Sequence, residues 1–394
     1  MTPLSCIPGG WIGPENVVGR EREVARYWRV LGRQSLVLSA ERRIGKTCIV
    51  RKMHEHGRDG FTTIYQDLEH VHGVMEFVRS IYRAVSLHTT KPQQAKHLMV
   101  KTWETLAPKK IADTELPDVQ SRWKALVEGA IRDTLDAVSS DQKVVFFWDE
   151  FPQMLFNIIE REEPDRAIEL LDLLRALRGQ FAERLRFVFT GSIGLHLVLR
   201  RLRDAGSTNA PTNDMLHEVV EPMAHAEAVE LAQRLLLGLP LPPPDAHALA
   251  LEIVQDVEGF PYYIHHTVDQ LAQLDHHPET EDVRRAVDTW MDAAQDPANL
   301  RYFEDRITTY YAAEERRISR LVLTLLAKYD APLPLDALVN LAKHGQTDAS
   351  DELIERVVSL LRQDHYLSLV RTGDDVRYGF RWSVVKRWWR RNHR

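Results

Sequence analysis

The sequence predicts an α/β protein: a parallel sheet core, then an all-α segment, then a small helical domain closed by a hairpin. Three observations carry that prediction. Short apolar runs alternate with helical periodicity over residues 1–222, the pattern of a parallel sheet covered by helices on both faces. Pro240-Leu241-Pro242-Pro243-Pro244 then breaks the alternation. Beyond it the chain reads as helical almost to Lys328 and ends on two strand-like stretches. The domains this implies are 1–222, 223–312 and 313–394.

Ser35 to Ser39 has the composition of a short buried strand and leads through a Gly-Lys-Thr loop into a helical run. Phe61 to Gln66 alternates in the manner of a second strand. Helical periodicity covers Val74 to Leu87 and Ser121 to Val138. Between them, residues 88–118 are polar and carry Pro92, Pro108 and Pro117, which marks an insertion. Lys143 to Trp148 is a third strand and Leu185 to Thr190 a fourth, separated by a helix from Asp165 to Phe181. Leu216 to Val220 makes a fifth. After the proline stretch, helices are expected from Asp245 to Val257, Tyr262 to Leu274 and Thr280 to Ala294, with another near Arg301 to Tyr311. The last part ends in strands Tyr366 to Arg371 and Val376 to Trp382, joined by Thr372-Gly373-Asp374-Asp375. Helices followed by a hairpin is the order of a winged helix. No internal repeat of roughly 20 to 50 residues is visible, which argues against a repeat-built sensor.

The 394 residues are enough to bury a full core without disulfides or structural metal. Apolar residues make up 44% and charged residues 27%, a balance that excludes collagen, wholesale disorder and a membrane bundle. The densest apolar cluster, Val144 to Trp148, is strand-sized, far short of the roughly 20 residues a membrane span requires. A net charge of −6 speaks against a protein coated in nucleic acid. The two cysteines, Cys6 and Cys48, cannot build a framework, so a cytosolic location is expected. Leu4-Ser5-Cys6 lacks the basic start and apolar stretch of a lipoprotein leader.

The strongest motif is Ala40-Glu41-Arg42-Arg43-Ile44-Gly45-Lys46-Thr47, between a strand and a helix. Its spacing fits a phosphate-binding loop. Backbone N–H groups and the helix N-terminus hold anionic phosphates, Lys46 reaches the terminal phosphates and Thr47 offers a hydroxyl to magnesium. Ala40 stands where the strict pattern has glycine. The competing reading is a chance Gly-Lys-Thr in a surface turn.

A phosphoryl-transfer site also needs a strand ending in carboxylate, and five apolar residues run into Asp149 and Glu150. Asp149 would hold the hydrated magnesium and Glu150 would activate the attacking water. An acid immediately after the metal-binding aspartate favours a hydrolase over a plain nucleotide binder.

The loop, the stretch Val18-Gly19-Arg20-Glu21-Arg22-Glu23, the Asp149-Glu150 strand and Thr190-Gly191-Ser192 together resemble the archaeal-ATPase-like branch of the STAND and AAA-type P-loop ATPases. Glu221-Pro222-Met223 is similar to that family's turn into a helical lid. Gly259-Phe260-Pro261 resembles its Gly-x-Pro motif, and Phe380 to Trp389 its winged-helix terminus. The resemblance implies ATP as the nucleotide and a five-stranded core. Val18, Gly19 and Arg20 would line the base pocket, Pro261 would lie against the adenine, and Thr190 or Ser192 would sense the γ-phosphate. Arg42, Arg43, Ile44, Gly45 and Cys48 would complete the nucleotide contacts. No arginine stands beside the Gly-x-Pro motif, and no arginine finger is assignable, so unaided hydrolysis is expected to be slow. A finger is typically worth about 10³–10⁵ in rate.

Other constellations are bland. The pairs His265-His266 and His276-His277 point about 100° apart on a helix and lack a ligand set, so a metal is not expected there. The C-terminal stretch is different. Arg371, Arg377, Arg381, Lys386, Arg387, Arg390, Arg391 and Arg394 outnumber Asp374 and Asp375, with Trp382, Trp388 and Trp389 interleaved. Either the wing and last helix contact nucleic acid, or the tryptophans dock on the core while the arginines are solvated or paired.

Three functions follow as expectations. The first is an Mg-ATP-driven switch whose output passes to a separate protein partner or to further copies of itself, with no membrane association. The second is an ATP-controlled DNA-binding protein that uses the winged helix. The third is a nucleotide-stabilised scaffold without turnover.

Overall fold

The computed structural model describes residues 1–88, 122–344 and 349–393. Apart from residue 88, the expected insertion lies outside the described residues. The chain forms two compact units. One comprises Arg20–Ala40 and Lys46–Val220; the other comprises Met1–Gly19, Glu41–Gly45 and Glu221–Arg394.

The first unit is a five-stranded parallel sheet with its helices. In chain order it contains α1 (Glu21–Leu31), β1 (Leu36–Ser39), α2 (Lys46–His56), β2 (Phe61–Asp67), α3 (Val74–His88), α4 (Trp123–Ala137), β3 (Lys143–Asp149), α5 (Phe151–Arg161), α6 (Pro164–Gln180), β4 (Leu185–Thr190), α7 (Leu195–Asp204) and β5 (Leu216–Val219). The strand order is β2-β3-β4-β1-β5, every pair parallel. The five expected strands are all present, each within one residue at either end. Two helices, α5 and α6, separate β3 from β4, where one was expected. Pro152 lies in the first turn of α5, where proline starts a helix rather than ending one.

β4 is buried along its whole length and β3 from Val144 onward, as strands covered on both faces must be. Alternate residues serve opposite faces. Phe146 and Trp148 join Phe77, Phe187 and Phe189 in one aromatic core, with the Trp148 and Phe189 rings stacked 5.8 Å apart. Phe147 points the other way and meets Trp28 of α1 edge to face. Trp148 Nε1 donates to Gln66 Oε1 at 2.7 Å, and Gln66 Nε2 donates to Ser80 Oγ at 2.8 Å, so the polar atoms of these two side chains are partnered. The register Tyr65↔Phe147 and Asp67↔Asp149 brings the ends of β2 and β3 level.

The second unit is helical: α8 (His225–Leu236), α9 (Ala246–Val257), α10 (Pro261–Leu271), α11 (Thr280–Asp292), α12 (Arg301–Tyr310) and α13 (Ala313–Lys328). After these come β6 (Leu333–Pro334), α14 (Leu335–His344), α15 (Asp351–Gln363), β7 (Leu367–Thr372), β8 (Asp375–Phe380) and α16 (Ser383–Asn392). The three short strands form an antiparallel sheet in the order β6-β8-β7, which with α13 to α15 makes the winged-helix part. The hairpin turn is tighter than the four residues expected, since Thr372 pairs with Asp375 and only Gly373 and Asp374 lie outside the ladder. Gly259 has φ +72°, and a Cβ there would stand 2.9 Å from the Met223 carbonyl, so the turn into α10 admits only glycine without strain. None of the described helices is long and apolar enough to cross a membrane.

Candidate functional site

The strand ends of the sheet unit gather the acidic and hydroxyl groups. Asp149 closes β3 and is 2% exposed. Its Oδ2 accepts from Thr47 Oγ1 at 2.7 Å and from the Tyr65 hydroxyl at 3.2 Å. Its Oδ1 accepts from the Thr190 hydroxyl and from the Glu150 N–H at 3.1 Å. Residues from β2, β4 and α2 thus converge on the carboxylate that ends β3. Parallel strands do this because their C-terminal ends all lie on the same edge of the sheet.

Glu150 follows in the left-handed region, φ 55°, as the residue before α5. Its Oε2 accepts from the Ser192 N–H at 2.9 Å and from Ser192 Oγ at 2.8 Å. Burial pushes the Glu150 carboxyl above the usual carboxylate range, with Asp149 adding to the effect and the Ser192 bonds opposing it. Thr190 and Ser192, the residues expected to sense a γ-phosphate, therefore hold Asp149 and Glu150 respectively.

Lys46 opens α2 and is buried, and its Nζ donates to the Ala40 carbonyl at 2.9 Å. Cys48 lies two residues further along α2, where burial raises its thiol above the ordinary value. Arg20 stands before α1 with φ 73° and pairs with Glu23 at 2.9 Å. Sequence reasoning missed Tyr65, whose hydroxyl also accepts from Arg51 Nε at 3.2 Å. Its signal was the register: once β2 is taken as parallel to β3, the residue two before Asp67 falls beside the acidic strand end.

The middle of the loop, Glu41–Gly45, belongs to the helical unit. Arg43 adopts φ 70°, and its guanidinium lies 4.3 Å from the Tyr262 ring centre. Arg42 covers the Tyr302 ring at 4.4 Å. Ile44 is fully buried and Gly45 has φ +96°. A Cβ at Gly45 would lie an ordinary 3.8 Å from Pro261 Cγ, so the backbone angle rather than crowding demands glycine. Val18 is buried, and Gly19 (φ +67°) lies against the Glu227 side chain. Glu41 pairs with Arg306, a residue the sequence did not single out.

The basic C-terminal stretch is largely occupied by internal partners. Arg381 pairs with Glu221 at 2.5 Å, Arg387 with Asp256 at 2.8 Å and Arg390 with Asp330 at 2.9 Å. Arg391 holds both Asp288 and Asp292, and Lys386 donates to the Tyr329 and Asp330 carbonyls. Trp388 and Trp389 are buried, and Trp382 meets Phe260 edge to face at 5.0 Å. Arg377 pairs with Asp375 in the wing, and Arg371 is exposed on β7. The first turn of α15, preceding the wing, carries Asp351 and Glu352. His266 packs edge to face on Tyr262, the ring that Arg43 covers, at 4.5 Å. His265 Nδ1 accepts from the Ile7 N–H at 3.2 Å, whereas His276 lies between Asp275 and Asp282.

No protein-family model and no curated protein matches the chain. Among solved structures it is similar to the Walker-type ATPase of Pyrococcus abyssi, with 16% identity and a TM-score of 0.60 over 95% of this chain and 97% of that one. It is also similar to the ORC2 protein of Aeropyrum pernix, with 12% identity and a TM-score of 0.53 over 97% and 96%. At these identities the likeness is one of fold. The chain has the fold of the P-loop ATPases, and its structural neighbours are archaeal Walker-type and ORC proteins.

Proposed function

We propose that this chain binds and slowly hydrolyses ATP and acts as a nucleotide-dependent switch that signals to a separate protein. The observation that carries this reading is the convergence of Thr47, Tyr65, Thr190 and Glu150 on Asp149, with Lys46 at the start of the adjoining helix. The fold neighbours support it. One is named a Walker-type ATPase, and the other was solved as ADPNP and ADP complexes.

Lys46 and the α2 N-terminus would hold the phosphates, where partial positive charge and N–H groups favour an anion. Gly45 supplies the φ such a turn requires. A hard oxygen pair, the Thr47 hydroxyl and the Asp149 carboxylate, fits magnesium, which would neutralise charge on the phosphates. Glu150 would accept a proton from the attacking water. Its raised carboxyl makes it a better base than an exposed glutamate, and turning away from Ser192 is the step that slows turnover. The lid would be residues 223–312 and the winged helix 313–394. A switch that moves from one state to the other almost completely needs about 5.5 kcal/mol of differential affinity.

Signalling to a protein is favoured over DNA binding because the C-terminal arginines already have carboxylate partners. The deciding experiment measures ATP binding and hydrolysis for the wild type, Lys46→Ala and Glu150→Gln. Lys46→Ala should lose nucleotide binding. Glu150→Gln should keep binding while turnover falls about 10²–10⁴-fold, the range of a general base. Unchanged binding in Lys46→Ala would sink the site assignment, unchanged turnover in Glu150→Gln would remove Glu150 as the base, and a wild type that binds ATP without turnover would leave the scaffold reading.

A further inference from the structure

Three charges are buried together inside the helical unit. Arg306 of α12 is 2% exposed, Glu41 of the loop 2% and Asp364, the residue that closes α15, 0%. One terminal nitrogen of Arg306, Nη1, lies 3.2 Å from Glu41 Oε2, and the other, Nη2, lies 2.6 Å from Asp364 Oδ1. The Tyr311 hydroxyl donates to Asp364 Oδ2 at 2.7 Å. Aromatic rings enclose the group, with the Arg306 guanidinium 5.5 Å from the Tyr366 ring centre and 5.9 Å from that of Tyr302. Tyr302 is also the ring covered by Arg42.

A carboxylate out of water must be paired, and both acids here pair with Arg306. The guanidinium is a rigid planar fork, so the direction of one arm fixes the direction of the other. Displacing Asp364 therefore reorients the arm that holds Glu41. Glu41 lies four residues before Gly45, and its side chain is held at one end of the same short loop whose backbone must present N–H groups to phosphate.

We propose that Arg306 is a positioning residue for the phosphate loop, linking Glu41 to Asp364, so that the nucleotide affinity of the loop depends on the winged-helix segment. This rests on the reading of the loop as a nucleotide site. A partner that moves the segment from α15 to β7 would act on that affinity without touching nucleotide.

The test uses the full chain with Asp364→Asn, Tyr311→Phe, Glu41→Gln and the double variant Asp364→Asn/Glu41→Gln. Binding is read by titrating a fluorescent ATP analogue with magnesium. Hydrogen exchange of the peptide covering 41–47 is read without nucleotide. Asp364→Asn and Glu41→Gln should each weaken binding about tenfold, and the double variant should be no weaker than either, since linked residues are non-additive. Tyr311→Phe, which leaves all three charges in place, should weaken binding about threefold. In all of these KM should rise while kcat at saturating ATP stays within about twofold. The 41–47 peptide should exchange faster in Asp364→Asn and Tyr311→Phe. Wild-type affinity and exchange in both variants would overturn the proposal; where Asp364→Asn does not fold, Tyr311→Phe decides. If the wild type binds no nucleotide, the nucleotide reading fails. The exchange measurement then still decides the link, faster exchange upholding it and unchanged exchange overturning it.

Discussion

Ser192 holds the Glu150 carboxylate twice, through its N–H at 2.9 Å and its hydroxyl at 2.8 Å, on the same oxygen. The residue proposed as the base is thus restrained by the segment that follows β4. Hydrogen bonds to a charged group are worth about 1.5–3 kcal/mol each, and at least one must break before Glu150 can turn to water.

Ser192→Ala removes the hydroxyl bond and keeps the N–H. Basal ATP turnover should rise about tenfold, the equivalent of roughly 1.4 kcal/mol, with ATP affinity unchanged. The acid limb of the pH–rate profile should move to higher pH, because a bond to the charged form has been lost. A steady-state ATPase assay from pH 5 to 8 measures both, and a drop in turnover would assign Ser192 to the substrate instead.

His265 accepts a hydrogen bond from the Ile7 N–H, and burial, with His266 beside it, lowers its pKa from 6.5 to about 4. The folded state therefore keeps the ring neutral while the unfolded chain takes up a proton. This contribution to stability is complete above about pH 6.5 and is lost as pH falls towards 4. Its size is about 3 kcal/mol. Urea unfolding at pH 7.5 and pH 4.5 should show the fall, and His265→Gln should flatten it.

Gly259 and Gly57 both have positive φ, but only Gly259 has a backbone atom in the way. Gly57→Ala should cost about 1–2 kcal/mol, the left-handed penalty alone. Gly259→Ala should cost at least about 1 kcal/mol more, since the Met223 carbonyl must move, a strain comparable to overpacking. Equal losses in thermal unfolding would show that the turn relaxes freely.

With Arg381, Arg387, Arg390 and Arg391 paired internally, duplex DNA should bind no more tightly than the non-specific range of about 10⁻⁴–10⁻⁶ M at physiological salt. Fluorescence anisotropy with and without ATP measures this. A nucleotide-dependent affinity with a salt slope near −3.6, the mark of about four phosphate contacts, would restore the DNA reading.

Much of this was legible because parallel strands and phosphate loops leave local marks. Val144 to Trp148 is apolar throughout, as a doubly covered strand must be, and the motif from Ala40 to Thr47 sits where a strand gives way to a helix. The acids Asp149 and Glu150 were visible for the same reason. What the sequence hid depends on distant pairing. Ser192 offers a hydroxyl to any partner, and only the fold brings Glu150 to it. Arg306 lies in a helix with many arginines nearby, and its burial is set by Glu41 and Asp364, far away along the chain. At the basic end composition left two readings open, nucleic-acid contact or paired arginines, because Asp256, Asp288, Asp292 and Asp330, which pair with its arginines, lie far back along the chain.

The strand order has a kinetic consequence. β2 and β3 are neighbours in the sheet and successive strands in the chain, so their ladder can form early. β1, although first in sequence, pairs with β4 and β5. Contacts of such long sequence separation form slowly, and during synthesis the strand before the loop must wait until residues near Val219 have emerged. The earliest motif in the chain is then among the last features of the sheet to be completed. A nascent chain cut short before β4 would carry every residue of the loop with neither ladder that holds β1, and nucleotide would first stabilise the protein only after that strand is made.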